Sequence, residues 1–247
     1  MSYSQIDHRM VQVNAAQRSE GSVSNFSTNF LTRDLDNVKK VVMIKATLPR
    51  LFFNIQSWNN TINIIHPANT PNVFIIPVGQ YTATTLAAAM TTATAGINTA
   101  WAYNAATSRI RATYSGVTTA NLDPLSSIAP YIGLMATITL GAPSDMQSPP
   151  QLSGPDEILV ISNLVATSSC VAAGNTTAKS LLGNINFTNV PYGFTGRWDA
   201  QQSDIAHIDF PYSVCMRKID VRLEDVFGHQ MELPDNCYLD MTLQFQY

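Results

Sequence analysis

The chain has 247 residues, of which 13% are charged, and its formal net charge is −3. This charged fraction is about half that of an average soluble protein, which favours a surface that packs widely against neighbouring proteins. The negative balance argues against direct binding to a nucleic-acid backbone. No apolar run reaches the ~18 residues of a membrane helix, and residues 1–20 have no secretory-signal pattern. We therefore expect neither a membrane span nor a nucleic-acid partner.

The first 22 residues lack apolar periodicity and carry several charges, so they are predicted to form an extended N-terminal arm. Residues 23–247 are predicted to form one domain, because all-β sandwiches of about 200 to 250 residues commonly fold as one unit. The β-branched run at 38–48, including Val41 and Met43, predicts a buried strand that ends at Pro49.

The next part of the chain predicts strands, one helix and turns. Alternation predicts strands before and after a turn at 58–61, and a further strand over 73–78. Apolar residues at helical spacing after Thr82, closed by Gly96, predict a helix. Residues 101–114 predict a hairpin, 125–134 a short helix and 142–155 a loop.

Further strands are predicted over 158–161, 183–187, 205–210 and in the last 29 residues. There, the apolar residues alternate with polar ones up to Tyr247, which predicts two paired strands with one buried face each, joined by a loop that opens with a turn. About ten strands and one good helix favour an all-β sandwich of two antiparallel sheets. The predicted core side chains of the closing strands are Val221, Leu223, Leu239, Met241, Leu243 and Phe245.

Enzyme signatures are absent from the sequence. Neither a phosphate-binding glycine loop, a nucleophile elbow nor a zinc-protease motif occurs. His207 and Asp209 share one strand face, but two residues of this kind meet often by chance. A hydrolytic carboxylate pair drawn from Asp199, Asp204, Asp209, Glu224 and Asp225 has no spacing that selects it. The sequence predicts no catalytic residue, no metal site and no cofactor.

Aromatic residues suggest one surface site. The segment 191–198 combines Tyr192, Phe194, Arg197 and Trp198 with two glycines, and aromatic residues and arginine are enriched at protein interfaces. It is therefore the candidate subunit interface. The alternative is a sugar-stacking platform built from these aromatics with Trp58, Trp101, Tyr212 and Tyr238.

The order of several weak motifs resembles a known family. Residues 11–18 and 22–27 are followed by the strand ending at Pro49, Phe53-Asn54-Ile55, Asn59-Asn60, Gly79-Gln80-Tyr81, the helix, and the terminal Val221-x-Leu223-x-Asp225-x-x-Gly228. This series is similar to the vertex (penton) minor capsid proteins of virophages, polinton-like viruses and related large double-stranded DNA viruses. In place of the family's Ile-Asn-Ser box, the chain has Val13-Asn14-Ala15.

The resemblance covers residue 11 to about 96 and the stretch from 219, and it implies a single jelly roll with an inserted helix and an N-terminal arm. It implies a structural, non-enzymatic capsid protein of the virion, made in the host cytoplasm or a virus factory. Five copies would close a ring at each vertex, beside neighbouring major capsid proteins. The arm contacts it implies are Arg9, Val13, Asn14 and Arg18.

Two other functions stay open at this point. One is a glycan- or receptor-binding sandwich, such as a fibre head, because exposed aromatic side chains stack on sugars. The other is a jelly-roll enzyme, which requires a pocket where two carboxylates, or His207 and Asp209, converge.

Overall fold

A computed structural model of the chain describes residues 7–30, 35–65, 71–116, 119–164, 180–200 and 207–247. The strands within these ranges are β1 His8–Asn14, β2 Glu20–Gly21, β3 Asn25–Asn29, β4 Leu35–Pro49, β5 Thr61–Ile65, β6 Pro71–Ile75, β7 Thr99–Asn104, β8 Arg109–Tyr114, β9 Ala120–Leu122, β10 Ile138–Leu140, β11 Ser144–Asp145, β12 Glu157–Ser162, β13 Ser180–Asn186, β14 Thr195–Asp199, β15 His207–Met216, β16 Lys218–Glu224 and β17 Asp240–Gln246. The helices are α1 Ala83–Ala93 and α2 Ala129–Ile132, with short 3-10 helices at Ala15–Gln17 and Ala95–Ile97.

The chain forms two compact units. The first contains residues 1–52 and 155–247, and the second contains 53–154. The sequence favoured one jelly-roll domain over 23–247, and that division of the chain stays a prediction. The fold class is the expected one, because all the strand pairs described are antiparallel and they form a sandwich with few helices.

The first unit is built on strands in the order β1-β17-β4-β14-β13-β12-β16-β3-β2, with β15 also paired to β4. The two ends of this order, β1 and β2, are near neighbours in sequence. The backbone N–H of Ala15 donates to the carbonyl oxygen of Leu239 at 2.9 Å, and that of Ser19 donates to Ser27 at 2.8 Å. The short connection between β1 and β2 therefore links the two ends of the strand order.

Apolar side chains on alternate positions of these strands form the core of the first unit. All eight side chains predicted for this core from the sequence are almost completely buried: Val41, Met43, Val221, Leu223, Leu239, Met241, Leu243 and Phe245. Phe52 and Phe187 pack edge to face, with ring centroids 5.0 Å apart. Because one face of each strand is apolar, burial of that face sets which side of the strand points inward.

The pairing of the closing strands differs from the prediction. We expected β16 and β17 to pair with each other, and that expectation is wrong. Strand β16 pairs with β3 and β12, whereas β17 pairs with β1 and β4. Residues 225–239, which include a turn from Asp225 to Gly228, carry the chain between them. Alternation specifies a buried face but contains no information about the neighbouring strand.

The residues predicted as an extended arm contain regular structure. Residues 8–14 form β1, which pairs along its whole length with β17. Val13 and Ala15 are buried in the core of the first unit. These two apolar anchors explain why the segment is ordered although most of its side chains are polar. Residues 1–6, the start of the predicted arm, lie outside the described residues.

The second unit contains two small sheets, β10-β9-β5-β6 and β11-β8-β7. The predicted hairpin is formed by β7 and β8, and the predicted helix is α1. Thr82 caps α1 through a reciprocal pair of hydrogen bonds with Thr85. Leu86, Ala87 and Met90 are buried in the core of this unit, so tertiary packing supports a helix that its many threonines weaken.

Other sequence predictions are met in part. The short helix expected within 125–134 is α2, a single turn, and the loop expected at 142–155 contains the two-residue strand β11. The strand expected at 205–210 begins at His207 within the described residues and continues to Met216. In the portion of the chain with described coordinates, no helix is long and apolar enough to cross a membrane.

Candidate functional site

The candidate site is the segment of residues 191–197, here called the aromatic loop, which includes the first three residues of β14. Tyr192 is 51% exposed, Phe194 is 64% exposed, and the Arg197 side chain is 62% exposed. Large aromatic groups are costly to leave in water, and exposed apolar side chains grouped in one place mark interaction sites. The loop therefore presents the composition of an interface, as the sequence indicated.

Arg50, at the end of β4, holds the base of the aromatic loop. Only 11% of this side chain is exposed. Its Nη1 donates to the carbonyl oxygen of Phe187 at 3.0 Å and to that of Val190, and its Nη2 lies 3.7 Å from Asp156 Oδ1. A guanidinium carries five donors in a fixed plane, so one buried side chain can satisfy several carbonyl groups of the preceding turn.

Backbone hydrogen bonds complete this attachment. The Arg50 N–H donates to the carbonyl oxygen of Phe194 at 2.7 Å, and the Gly193 N–H donates to the carbonyl oxygen of Arg50 at 3.0 Å. Gly193 has φ +87°, a conformation that favours glycine. The loop is thus held in one shape before any partner binds, which reduces the entropy that binding must remove.

Trp198 differs from the other residues of the predicted interface. It is 6% exposed and belongs to the core of the first unit. A Cβ atom placed on Gly183 of β13 would lie 3.2 Å from the Trp198 ring, so the indole packs closely over that glycine. Residues 195–199 alternate along β14, with Arg197 outward and Trp198 inward. Trp198 positions the strand and has little surface to offer a neighbour.

The predicted arm contacts lie within the first unit. Arg9 is exposed on β1, and Val13 is buried against the core. Asn14 Oδ1 accepts a hydrogen bond from the Ala16 N–H at 2.8 Å, and Arg18 donates to the carbonyl oxygens of Ala15 and Gly21. Three of these four residues therefore stabilise the connection between β1 and β2 in the chain itself.

Two of the carboxylates considered for catalysis, Glu224 and Asp225, make ion pairs or hydrogen bonds within the fold. Glu224 and Asp225 are buried, and Glu224 Oε1 lies 2.5 Å from Arg222 Nη2. Asp225 accepts hydrogen bonds from the N–H groups of Phe227 and His229, and its other oxygen lies 2.8 Å from His229 Nδ1. These contacts close the turn after β16. Asp204 lies outside the described residues.

His207 and Asp209 are brought together, with Nε2 and Oδ2 2.9 Å apart on β15. Among the residues with described positions, no group of three or more histidine, cysteine or carboxylate side chains could hold a metal ion. Two of the tryptophans suggested for a sugar platform, Trp101 and Trp198, are buried. Trp101 Nε1 donates to Thr94 Oγ1 at 3.0 Å, which ties strand β7 to the end of α1.

Sequence reasoning missed Arg50, which controls the aromatic loop. Its acceptors are 137 and 140 residues away in the chain. The local sequence offers only an arginine after Pro49 at the end of an apolar strand, and this pattern does not specify distant carbonyl groups.

Comparison with known proteins supports the fold. Neither a protein-family model nor a curated protein matches the chain. A crystal structure of the selenomethionine-labelled mavirus penton protein matches it over 97% of this chain and 99% of that chain, with a TM-score of 0.52 and 8% sequence identity. The chain has the fold of that penton protein. At 8% identity, the likeness shows a shared fold and does not identify individual contact residues.

Proposed function

We propose that this protein is a structural capsid protein that forms pentameric vertex capsomers in the icosahedral shell of a double-stranded DNA virus. The observation that carries the proposal is the likeness to the mavirus penton protein along nearly the full length of both chains. Because the match covers 97% of this chain, it includes the segments that lie outside the sheets of the sandwich. It therefore supports a shared role more strongly than a likeness of one sheet would.

The surface chemistry agrees with this role. Five copies placed around an axis contact one another through two different patches, and such heterologous contacts close into a ring. The aromatic loop supplies one suitable patch, since Tyr192 and Phe194 are exposed and held in place. The low charged fraction of 13% also suits a chain with several neighbours, which would include the major capsid proteins around the vertex.

The N-terminal segment is proposed to contribute contacts to neighbouring capsomers. Arg9 is exposed near the start of β1, a strand at one end of the strand order of the first unit. Val13, Asn14 and Arg18 would support such contacts by holding β1 and its connection in place. The protein would act in the virion after synthesis in the host cytoplasm or a virus factory, and it would have no catalytic role.

A glycan- or receptor-binding sandwich, such as a fibre head, is the second candidate. The specific observation that favours it is the exposure of Tyr192 and Phe194 on a preformed loop, because a rigid aromatic surface also stacks on sugar rings. The two functions differ in symmetry. Fibre heads are usually trimers, whereas vertex capsomers are pentamers.

The direct test is a density map of native particles together with sedimentation of the purified chain. We expect density for this fold at the fivefold vertices, and pentamers, or monomers that become pentamers only on assembly, in solution. A stable trimer in solution, or particles whose vertices lack this fold, would contradict the proposal. The fibre-head alternative would be favoured if the purified chain bound sugars on a glycan array and native particles had no density for this fold at their vertices.

A further inference from the structure

Strand β6 forms an exposed edge of the second unit. It lies at one end of the strand order β10-β9-β5-β6, and among the described strands it pairs with β5 alone. Val73 and Ile75 of this strand are 59% and 68% exposed, whereas Phe74 between them packs against the core of the unit. An exposed edge with β-branched side chains is a template for a further strand. No function discussed so far uses this edge.

The backbone hydrogen-bonding groups of Val73 and Ile75 point away from β5. In the ladder these residues are opposite Asn63 and Thr61. The N–H groups of Asn63 and Thr61 donate at 2.8 and 2.9 Å to serine hydroxyls that follow β9, the strand on the other side of β5. Their carbonyl oxygens accept from N–H groups of the same segment. Because opposite residues alternate between pairs that exchange hydrogen bonds and pairs that do not, the N–H and carbonyl groups of Val73 and Ile75 face the exposed edge.

Two prolines limit this edge to a short stretch. Pro71 and Pro77 occupy the next positions of the same parity, one on each side of the two exposed residues, and proline has no N–H to donate. The carbonyl oxygen of Pro77 already accepts a hydrogen bond from the Tyr81 hydroxyl at 2.8 Å. The edge therefore offers two N–H donors, which are placed symmetrically about Phe74.

The edge also lacks charge. The sequence contains no aspartate, glutamate, lysine or arginine from residue 51 to residue 108. Natural edge strands are commonly protected by charged side chains, lysine above all, because a charge is costly to bury in a new sheet. Like charges directly opposite each other would also repel. A neutral edge can lie against an identical edge without either cost.

We infer that β6 pairs antiparallel with β6 of a second copy of the same chain, so that two four-stranded sheets join across a twofold axis. The register that uses both donors of each chain places Val73 opposite Ile75 of the second copy. Phe74 is then opposite the same residue of the second copy, and Pro71 is opposite Pro77. The exposed valine and isoleucine side chains would cover each other on the outer face of the joined sheet.

The spacing of the prolines favours the chain's own copy as the occupant of this edge. In the proposed register each Val73 N–H meets an Ile75 carbonyl oxygen, and each Ile75 N–H meets a Val73 carbonyl oxygen. At either end, the Pro77 carbonyl oxygen that accepts from Tyr81 faces a proline, which brings no N–H of its own. A strand without that proline would bring an N–H to this position, where the carbonyl group already has a donor.

This contact is separate from the fivefold contact proposed above and does not depend on the vertex role. Two identical edges around a twofold axis form an isologous contact, which stops at two copies, whereas a ring needs two different patches. Strand β6 covers Pro71–Ile75, a length of about 17 Å. A contact of this size belongs to the weak, transient class of interfaces, so it should depend strongly on protein concentration.

The first test is sedimentation velocity of the full-length chain over a wide range of protein concentrations, where we expect a reversible association step. Val73→Pro removes an outward N–H at a position where an edge strand tolerates proline. It should raise the dissociation constant of that step roughly tenfold or more, because each chain loses a backbone hydrogen bond. Val73→Lys, which adds a charge to the edge, should weaken the association in the same way.

A matched control separates pairing of the edges from general effects of charge. Ala88→Lys adds the same charge at an exposed position of α1, away from β6, and should leave the dissociation constant unchanged. Circular dichroism and the melting temperature show whether each variant is folded.

Cysteine crosslinking tests the register. In a Cys215→Ser background, which removes an exposed native thiol, mixed Val73→Cys and Ile75→Cys chains should form disulfide-linked dimers faster than either variant alone. The reason is that unlike residues are directly opposite in the proposed register, whereas like residues are diagonal neighbours and lie farther apart. Mass spectrometry of the linked peptides identifies the two cysteines.

The outcomes distinguish this contact from the proposed function. Loss of the association step in folded Val73→Pro or Val73→Lys chains, together with mixed crosslinks, would support the pairing of β6. The pairing would be overturned if both variants associated as the wild type does, if the wild type showed no such step, or if the mixed crosslinks did not form. Density at the vertices of native particles would still decide the capsid role in each of these cases.

Discussion

The backbone N–H of Arg50 donates a hydrogen bond to the carbonyl oxygen of Phe194, 2.7 Å away. The buried residue at the end of β4 is thereby attached to the most exposed ring of the aromatic loop. The Arg50 side chain also reaches Phe187 and Val190, on the preceding turn. One residue therefore determines the shape of the surface that we assign to subunit contact.

Replacing Arg50 with leucine should destabilise the protein and loosen the aromatic loop. The change removes the Arg50 donor from the carbonyl oxygens of Phe187 and Val190, of which the Phe187 oxygen keeps the Val190 N–H as a donor. Hydrogen bonds to charged groups contribute about 1.5–3 kcal/mol. We expect a loss of about 2–4 kcal/mol in the free energy of unfolding, measured with urea. Chymotrypsin should also cut faster after Tyr192 or Phe194. Lys39→Leu, at an exposed position, is the control, and equal stability of the two variants would refute the role of Arg50.

Leu243→Asp should abolish soluble folded protein. Leu243 is fully buried and lies between Met43 of β4 and Val11 of β1. An unpaired carboxylate at this position costs several kcal/mol, comparable to the whole stability of a domain. Gln244→Asp places the same group on the outer face of the same strand and should remain soluble. Expression yield and circular dichroism give the result, and a folded Leu243→Asp chain would show that the inward face has been misassigned.

Gly133→Ala should destabilise the protein through a backbone clash. Gly133 ends α2 with φ +80°, and an added Cβ would lie 2.0 Å from the carbonyl oxygen of Ser148. The left-handed conformation alone costs a non-glycine residue about 1–2 kcal/mol, so we expect a total loss above about 2 kcal/mol in urea unfolding. Gly96→Ala, which meets no atom within 4 Å, should change stability by less than about 1 kcal/mol. Similar losses for both would argue against the clash.

Acid should weaken the second unit through Asp145. A hydrogen bond from Arg111, 2.6 Å from Asp145 Oδ1, lowers the pKa of Asp145 to about 2. Because this pKa is depressed in the folded state, the stabilisation is complete above the unfolded pKa of about 3.9 and is lost as the pH falls towards 2. Unfolding free energies measured between pH 5 and 2 should therefore fall less steeply for Asp145→Asn than for the wild type. Parallel pH profiles would contradict this assignment.

Local patterns in the sequence predicted much of the fold. The alternation from Leu239 to Phe245 identified buried side chains correctly, because a strand has a side-chain period of two wherever it lies. The helix after Thr82 was also predicted, since its cap and its apolar stripe are formed by neighbouring residues. The exposed positions of Tyr192, Phe194 and Arg197 agree with the interface composition that the sequence of this glycine-containing segment indicated.

Contacts between distant residues could not be predicted in this way. The hydrogen bonds from Arg50 to Phe187 and Val190 join segments that are far apart in the chain. The burial of Trp198 likewise depends on the assembled core of the first unit. Each depends on which strands are neighbours, and the sequence contains no local signal for that choice. Sequence reasoning therefore found the loop but not the residue that holds it.

The two closing strands show what the sequence determined and what the tertiary structure determined. By itself, the sequence determined that residues 219–224 and 239–246 are strands and which of their side chains are buried, because apolar alternation requires one face to leave water. Only the tertiary structure decided their partners, β3 and β12 for the first and β1 and β4 for the second. The physical reason is that backbone hydrogen bonds are nearly the same for any pair of strands. Packing of the whole core selects among the possible pairings.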